Sequence, residues 1–214
     1  MPEWNELAAR AEERYRDGEA RLPDEADARQ RQLTRMGNAA YAAGLARLMV
    51  GADATEWLGR AAGRYRESYA DAPAGSWGRP IGAIKARILA DDWPGAEEAA
   101  RWALAEGAAG AESPIGRYAG ALAALTLGED EQARGLADSI RTRDDFPRRV
   151  GDALAMLSAG DVVGYDEQVA AVLESFETRD EYLEDMPVAD TVIVLQALAE
   201  RRGMAAELTS ELLP

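Results

Sequence analysis

Apolar and small residues recur every three or four positions along most of the chain, in segments separated by short breaks. This spacing is typical of amphipathic helices, and no segment shows the alternation of β-branched and polar residues expected of a strand. The clearest breaks contain Pro, Gly or paired acidic residues, and they lie at 72–76, 92–95, 107–114, 144–147 and 178–187. The pattern predicts an all-α protein of roughly ten helices with little or no sheet.

The most apolar of the predicted helices covers about residues 187–202. Val188, Val192 and Leu195 share one face, and further apolar residues fill the others, which indicates a buried helix. Asp190 lies in its first turn, where a carboxylate either faces solvent at the helix N-terminus or is buried. A buried Asp190 would need a partner such as an arginine, or a ligand. The sequence leaves both interpretations open.

An eleven-residue motif occurs twice in the N-terminal third of the chain. Residues 10–20 and 60–70 both read Arg-Ala-x-x-Arg-Tyr-Arg-x-x-x-Ala, with Tyr15 and Tyr65 at equivalent positions. The four-residue spacing of Ala11 and Tyr15 places them on one helix face. We therefore expect the two tyrosines to be core wedges with their arginines in water, the alternative being a ligand site.

Residues 76–202 resemble a degenerate tetratricopeptide array. The turn Gly128–Glu129–Asp130–Glu131–Gln132–Ala133 matches best, with the small Ala121 where two helices pack closely. The resemblance implies antiparallel helix pairs stacked as a short tetratricopeptide-like array in one domain, 1–214, with possible sub-blocks 1–73 and 76–203. The chain departs from the family where Arg117 and Ala124 replace the expected aromatic residues. The resemblance therefore does not extend to peptide clamping.

The chain has no His, no Cys and a single lysine, Lys85, whereas it carries 39 acidic residues and a net charge of -15. Disulfides, thiolate sites and imidazole chemistry are excluded, and we expect no catalytic residue, cofactor or metal site. Such a charge repels nucleic acid and anionic membranes. The arginine-rich, lysine-poor acidic composition resembles that of proteins from halophilic archaea.

Three acidic pairs are the remaining material for ion binding: Asp91–Asp92, Asp144–Asp145 and Glu184–Asp185. Each pair precedes a predicted helix, where carboxylates commonly cap free backbone N–H groups. The alternative is a site for a hard cation such as Mg²⁺ or Ca²⁺. We favour helix capping, because the spacing fits no calcium loop.

Aromatic and charged residues at predicted helix starts and turns form a candidate interaction surface. Its members are Trp77, Trp93, Arg148, Arg149, Tyr182 and Asp190. A groove shared by Trp77 and Trp93 would suit a ligand, whereas core positions are the simpler interpretation. The arginines could bind an anionic group on a partner, or pair with neighbouring acidic residues such as Asp152.

These observations predict a non-catalytic protein–protein interaction or scaffold module that binds an unidentified protein partner through its concave face. It is expected to be cytoplasmic, since the acidic N-terminus shows no secretion signal, and a homodimer is possible. The C-terminal run 182–214 has a Val-Leu-rich helix and ends in Leu212–Leu213–Pro214. It resembles all-helical immunity proteins of bacterial polymorphic toxin systems, which implies toxin neutralisation by docking. A carboxylate-based metal-binding protein or enzyme is the third alternative.

Overall fold

The computed structural model describes residues 3–214, and every regular element within that range is helical. Ten α-helices lie in this range, and most of their connections are short. The absence of strands among these residues confirms the predicted all-α class. The helices are α1 (Trp4–Ala20), α2 (Ala26–Leu48), α3 (Thr55–Tyr69), α4 (Gly78–Leu89), α5 (Trp93–Ala105), α6 (Pro114–Leu127), α7 (Asp130–Ile140), α8 (Arg148–Ala159), α9 (Val162–Glu177) and α10 (Asp190–Glu200). Two short 3₁₀ turns cover Ala108–Gly110 and Leu183–Asp185.

Polar residues and glycines at the breaks define several helix ends. Asp92, Ser113 and Asp161 cap α5, α6 and α9, each side chain accepting a hydrogen bond from a backbone N–H three residues later. Gly128 and Gly160 end α6 and α8 in the left-handed conformation that favours glycine. The predicted breaks therefore coincide with local stop signals in the chain.

Successive helices pack against each other from α1 to α9, as expected of an array of helix pairs. The short connections make neighbouring helices antiparallel. Contacts also join α4 to α6 and α6 to α8, so these helices form an inner row. Helix α10 packs against α4 as well as against α8 and α9. The inner side of the array is therefore occupied in part by the chain's own last helix.

The two copies of the repeated motif place their tyrosines in the core, as predicted. Tyr15 packs edge-on against Trp57, with ring centroids 5.5 Å apart. Tyr65 is also buried, and its hydroxyl donates a 2.9 Å hydrogen bond to Asn38. A Cβ added at Gly37 or Gly82 would lie 2.8 Å or 2.6 Å from the Tyr65 ring. The Tyr65 ring therefore fills a space between Gly37 and Gly82 that larger residues at these two positions would close.

Helix α10 is buried as its sequence predicts, but it begins at Asp190 rather than at 187. The preceding residues 178–189, named the connecting segment, contain the second 3₁₀ turn, which contacts α2. The C-terminal residues fold back on α10, and the Ala189 amide donates to the Leu212 carbonyl. Among residues 3–214, no helix is both long enough and apolar enough to span a membrane.

Candidate functional site

A cavity of about 430 Å³, named the central cavity, lies between the inner helices and the connecting segment. Its walls come from α2, α4, α6 and α8, from the last turn of α9 and from the start of α10. The apolar part of its lining comprises Leu45, Ile115, Phe146, Val150, Phe176, Met186 and Val188. A cavity of this size and composition matches the pockets that hold small ligands.

One side of the central cavity carries a buried ion pair. This pair and the side chains that form hydrogen bonds with it are named the polar floor. Lys85 Nζ lies 2.5 Å from Asp190 Oδ2 and donates a second hydrogen bond, of 3.0 Å, to Thr191 Oγ1. The Tyr41 hydroxyl donates to the same carboxylate oxygen at 2.9 Å. The side chains of Lys85 and Asp190 are only 11% and 18% exposed, and both line the cavity.

The polar floor holds its two charges in their ionised forms. Burial alone raises the pKa of Asp190, but the charge and hydrogen bond of Lys85 and the hydrogen bond of Tyr41 bring it below the ordinary value. Burial lowers the pKa of Lys85, and the charge of Asp190 outweighs it, so this pKa lies above the ordinary value. The pair is therefore a neutral, mutually stabilised unit around pH 7.

Three groups in or beside the pair retain hydrogen-bonding capacity. Tyr118 packs its ring 5.5 Å from that of Phe146, and its hydroxyl forms no hydrogen bond with residues 3–214. No fully enclosed side-chain N or O atom of these residues lacks a partner, so the Tyr118 oxygen must be open to the cavity. Lys85 uses two of its three N–H groups. Within residues 3–214, the Asn38 amide accepts from Tyr65, and its own N–H groups form no hydrogen bond. Unused donors therefore belong to residues that line the cavity.

The mouth of the cavity carries charges that are not matched to each other. The Arg179 guanidinium lies 3.6 Å from the centre of the Phe176 ring, and its Nε donates to the Ser175 carbonyl. Within residues 3–214, its two terminal nitrogens form no hydrogen bond or ion pair. Glu181 lies on the same rim and also has no ion pair in this range. The rim thus presents one free guanidinium and one free carboxylate.

The connecting segment covers the cavity, and contacts of its middle residues with α9 and α1 hold its conformation. The Tyr182 hydroxyl donates a 2.6 Å hydrogen bond to the Phe176 carbonyl, and Glu184 forms a 3.3 Å ion pair with Arg14 on α1. Glu184 and Asp185 have φ angles of 56° and 57°, in the left-handed region that non-glycine residues disfavour. Such backbone strain persists only where surrounding contacts hold it, and it is concentrated at functional sites.

The structure brings two of the six predicted surface residues, Tyr182 and Asp190, to the central cavity. Trp77 is buried beside a neighbouring cavity of about 360 Å³ that shares Lys85 and Asp190 with the first. Trp93 lies near the other end of α10, where Arg201 stacks on its ring at 4.2 Å. The two tryptophans therefore lie at opposite ends of α10 rather than along one groove.

Arg148 and Arg149, the remaining two, lie on the outside of the array. Arg149 forms a 2.6 Å ion pair with Glu174, whereas Arg148 is largely exposed and lies 3.5 Å from Asp152. The neighbouring pairs are Arg141 with Asp138 and Asp152, and Arg143 with Asp145. This arrangement is the solvated network that the sequence favoured for the arginine cluster.

The acidic pairs match their predicted capping role only in part. Asp92 caps α5 and also binds Arg87 at 2.7 Å. Asp145 binds Arg143 instead of capping α8, and Asp185 is too far from the delayed start of α10 to cap it. Nowhere in residues 3–214 do three or more acidic side chains converge in an arrangement that could hold a metal ion.

Sequence reasoning missed four residues of the site: Tyr41, Lys85, Tyr118 and Arg179. A signal existed for Lys85, because it is the only lysine among 24 basic residues and lies on an apolar helix. Of the two interpretations that the sequence left open for Asp190, the structure shows the buried one, and the partner is Lys85 rather than an arginine.

The fold and the cavity define the chain as an all-α helical array with an internal cavity. Comparison with protein-family models, with curated proteins and with solved structures found no match to this chain. Its function must therefore be argued from the chemistry of its own residues.

Proposed function

We propose that this chain is a non-catalytic binding module, and that recognition takes place in the central cavity. The observation that carries the proposal is the combination of a partly open, largely apolar cavity of about 430 Å³ with unused hydrogen-bond donors on the residues that line it. Apolar walls supply affinity, and a few convergent polar groups supply orientation and specificity. The cavity holds a small molecule or the end of a partner's chain.

The protonation states of the cavity support binding rather than acid–base catalysis. A catalytic acid or base works best with a pKa near the working pH. Burial raises the pKa values of Tyr41 and Tyr118, while the Lys85–Asp190 pair drives the two pKa values of its members apart. A lysine with a raised pKa remains an ammonium ion and is a poor nucleophile.

Recognition in a partly open cavity modifies the expectation of docking along the concave face. Helix α10 and the connecting segment occupy part of the inner side of the array, so a partner helix has less room there. A protein partner would instead insert a chain end or a side chain. In this proposal the tetratricopeptide-like pairing serves to build the walls of the cavity.

The surface chemistry supports adaptation to a salt-rich cell as part of the proposal. A net charge of -15 requires screening to limit self-repulsion. Many of the arginine–carboxylate pairs, such as Arg10–Glu6 and Arg21–Asp17, are exposed to solvent. The dependence of the unfolding free energy on KCl concentration tests this point.

Filling the cavity tests the proposed function. We expect Val150→Trp to abolish the binding of a neutral apolar probe, 4-phenylbutanol, measured by titration calorimetry, because the indole would occupy the space between α8 and the connecting segment. Ile115→Trp is the second variant, since Ile115 is 42% exposed at the cavity edge and tolerates a larger side chain.

The matched control is Val163→Trp, which adds the same surface at a position 71% exposed on the first turn of α9. It should bind the probe like the wild type. Circular dichroism confirms that each variant is folded. If both cavity variants bind the probe as tightly as the folded wild type does, the proposed function is wrong.

A further inference from the structure

Arg179 is built as an anchor at the mouth of the central cavity. Its guanidinium stacks at 3.6 Å on Phe176, a residue of the cavity wall, and its Nε is held by the Ser175 carbonyl. These contacts fix the plane of the group and leave the terminal N–H groups without a partner among residues 3–214. A fixed planar fork of this kind matches a carboxylate in two parallel hydrogen bonds.

The charges inside the cavity decide which end of a ligand meets which wall. Asp190 lies at the polar floor, and its charge is neutralised by Lys85. A ligand carboxylate placed there would face the Asp190 carboxylate at close range. At the mouth, the negative groups Asp145 and Glu184 are already paired with Arg143 and Arg14. The mouth is therefore the favourable place for a negative group.

We propose that the central cavity binds an apolar group that ends in a single carboxylate, with the carboxylate on Arg179 and the apolar body against Phe146, Val150 and Met186. This assignment rests on the proposed function and names the class of ligand. The Tyr118 hydroxyl and the third N–H of Lys85 are left to donate hydrogen bonds to a neutral oxygen on the far end of the ligand.

The surroundings favour one negative charge over two. Glu181 lies on the same rim as Arg179 and opposes any anion, and the whole chain carries a net charge of -15. One guanidinium balances a monocarboxylate, whereas a phosphate or dicarboxylate would bring an unmatched second charge into this field. The expected ligand is thus a monocarboxylate with an aromatic or aliphatic body.

Titration calorimetry with a matched series tests the assignment. 4-Phenylbutyrate should bind at least about tenfold more tightly than 4-phenylbutanamide or 4-phenylbutanol, because only the acid forms charge-assisted hydrogen bonds. 4-Phenylbutylamine should bind most weakly of the four. The series keeps the apolar body constant and changes only the terminal group.

Two variants of the rim should change the preference in opposite directions. Arg179→Gln removes the anchor, and we expect the acid to bind no better than the amide. Glu181→Gln removes the opposing charge, and we expect acid binding to strengthen by about threefold. Arg134→Gln is the control for Arg179→Gln, because it makes the same change of net charge at an exposed position on α7.

A free acid and the C-terminus of a protein offer the same chemistry, and a second arm separates them. The peptide acetyl-Gly-Gly-Phe with a free carboxylate is compared with its C-terminal amide and with 4-phenylbutyrate. Tighter binding of the peptide acid identifies a chain end as the source, and tighter binding of 4-phenylbutyrate identifies a small molecule. Both results support the carboxylate assignment.

Two results would overturn the assignment. Equal affinity for the acid, the amide and the alcohol, or an acid preference that persists in Arg179→Gln, rejects the carboxylate but leaves a binding cavity. Failure of all four compounds to bind folded protein rejects the proposed function itself. The neutral compounds therefore distinguish the two failures.

Discussion

The ion pairs on the outside of the array and the pair at its centre use similar groups in opposite surroundings. Arg60 on α3 binds Glu56 one turn away at 2.6 Å and stacks on the Trp57 ring at 4.6 Å, while the Glu56 side chain is 70% exposed. Lys85 and Asp190 are 105 residues apart in sequence, are largely buried and join α4 to α10.

This difference separates local electrostatics from tertiary structure. An exposed pair between adjacent helical turns is screened by salt and contributes little to stability. A buried pair contributes little over apolar residues of the same shape, yet it is costly to break, since one charge then stays buried alone. The central pair therefore fixes where α10 enters the array, whereas the outer pairs chiefly keep the surface hydrated.

Asp190→Ala should have the largest effect on stability. It leaves the Lys85 ammonium without its partner, and we expect the free energy of unfolding to fall by about 3 kcal/mol, at the low end for a buried pair because the cavity gives access to water. Denaturant titration followed by circular dichroism measures the change. Glu56→Ala on the outer pair should cost about 0.5 kcal/mol.

The double variant Lys85→Met/Asp190→Leu tests the cause of that loss. With both charges removed, most of the stability should return, apart from about 1 kcal/mol for the Tyr41 hydroxyl that loses its acceptor. Two results would show that an unpaired buried charge is not the cause of the loss. One is an Asp190→Ala loss of unfolding free energy no larger than that of Glu56→Ala. The other is a double variant less stable than Asp190→Ala.

The local features of the fold could be predicted from sequence, since they depend on neighbouring residues. The helix breaks follow from prolines, glycines and acidic residues a few positions apart, and the burial of α10 follows from its apolar faces. The tyrosines of the repeated motif were predicted as core residues for the same reason, and both Tyr15 and Tyr65 are buried.

The composition of the cavity could not be predicted, because it depends on where distant helices meet. Nothing in the sequence places Lys85 opposite Asp190 or the Tyr41 hydroxyl on the same oxygen. Asp185 was expected to cap the last helix, but the left-handed backbone at Glu184 and Asp185 delays the helix to Asp190. Local rules fail where tertiary contacts determine the backbone.

Gly82 lies in the packed layer between the two kinds of ion pair. Gly82→Ala should lower the free energy of unfolding by an intermediate amount. Its Cβ would lie 2.6 Å from the Tyr65 ring, which cannot withdraw while its hydroxyl binds Asn38. We expect a loss of about 1–2 kcal/mol in denaturant titration, since overpacking outweighs the helix propensity of alanine.

Gly63→Ala on α3 is the matched control, because no atom lies within 4 Å of its added Cβ. It should raise stability by about 0.5–1 kcal/mol through helix propensity alone. A gain in stability for both alanine variants would show that the slot around Tyr65 is not closed.

The smallest of the expected effects on stability is that of salt. It should distinguish the exposed ion pairs from the buried one. Raising KCl from about 0.1 M to about 1 M shortens the screening length from about 10 Å to about 3 Å. The cost of Glu56→Gln, about 0.3 kcal/mol at low salt, should vanish, while the cost of Asp190→Ala should stay within about 0.5 kcal/mol of its low-salt value.

The wild-type protein should itself become more stable as the repulsion of its net charge of -15 is screened. A cost of Asp190→Ala that falls with salt as that of Glu56→Gln does would place Lys85 and Asp190 in solvent, and the contrast between centre and surface would be lost.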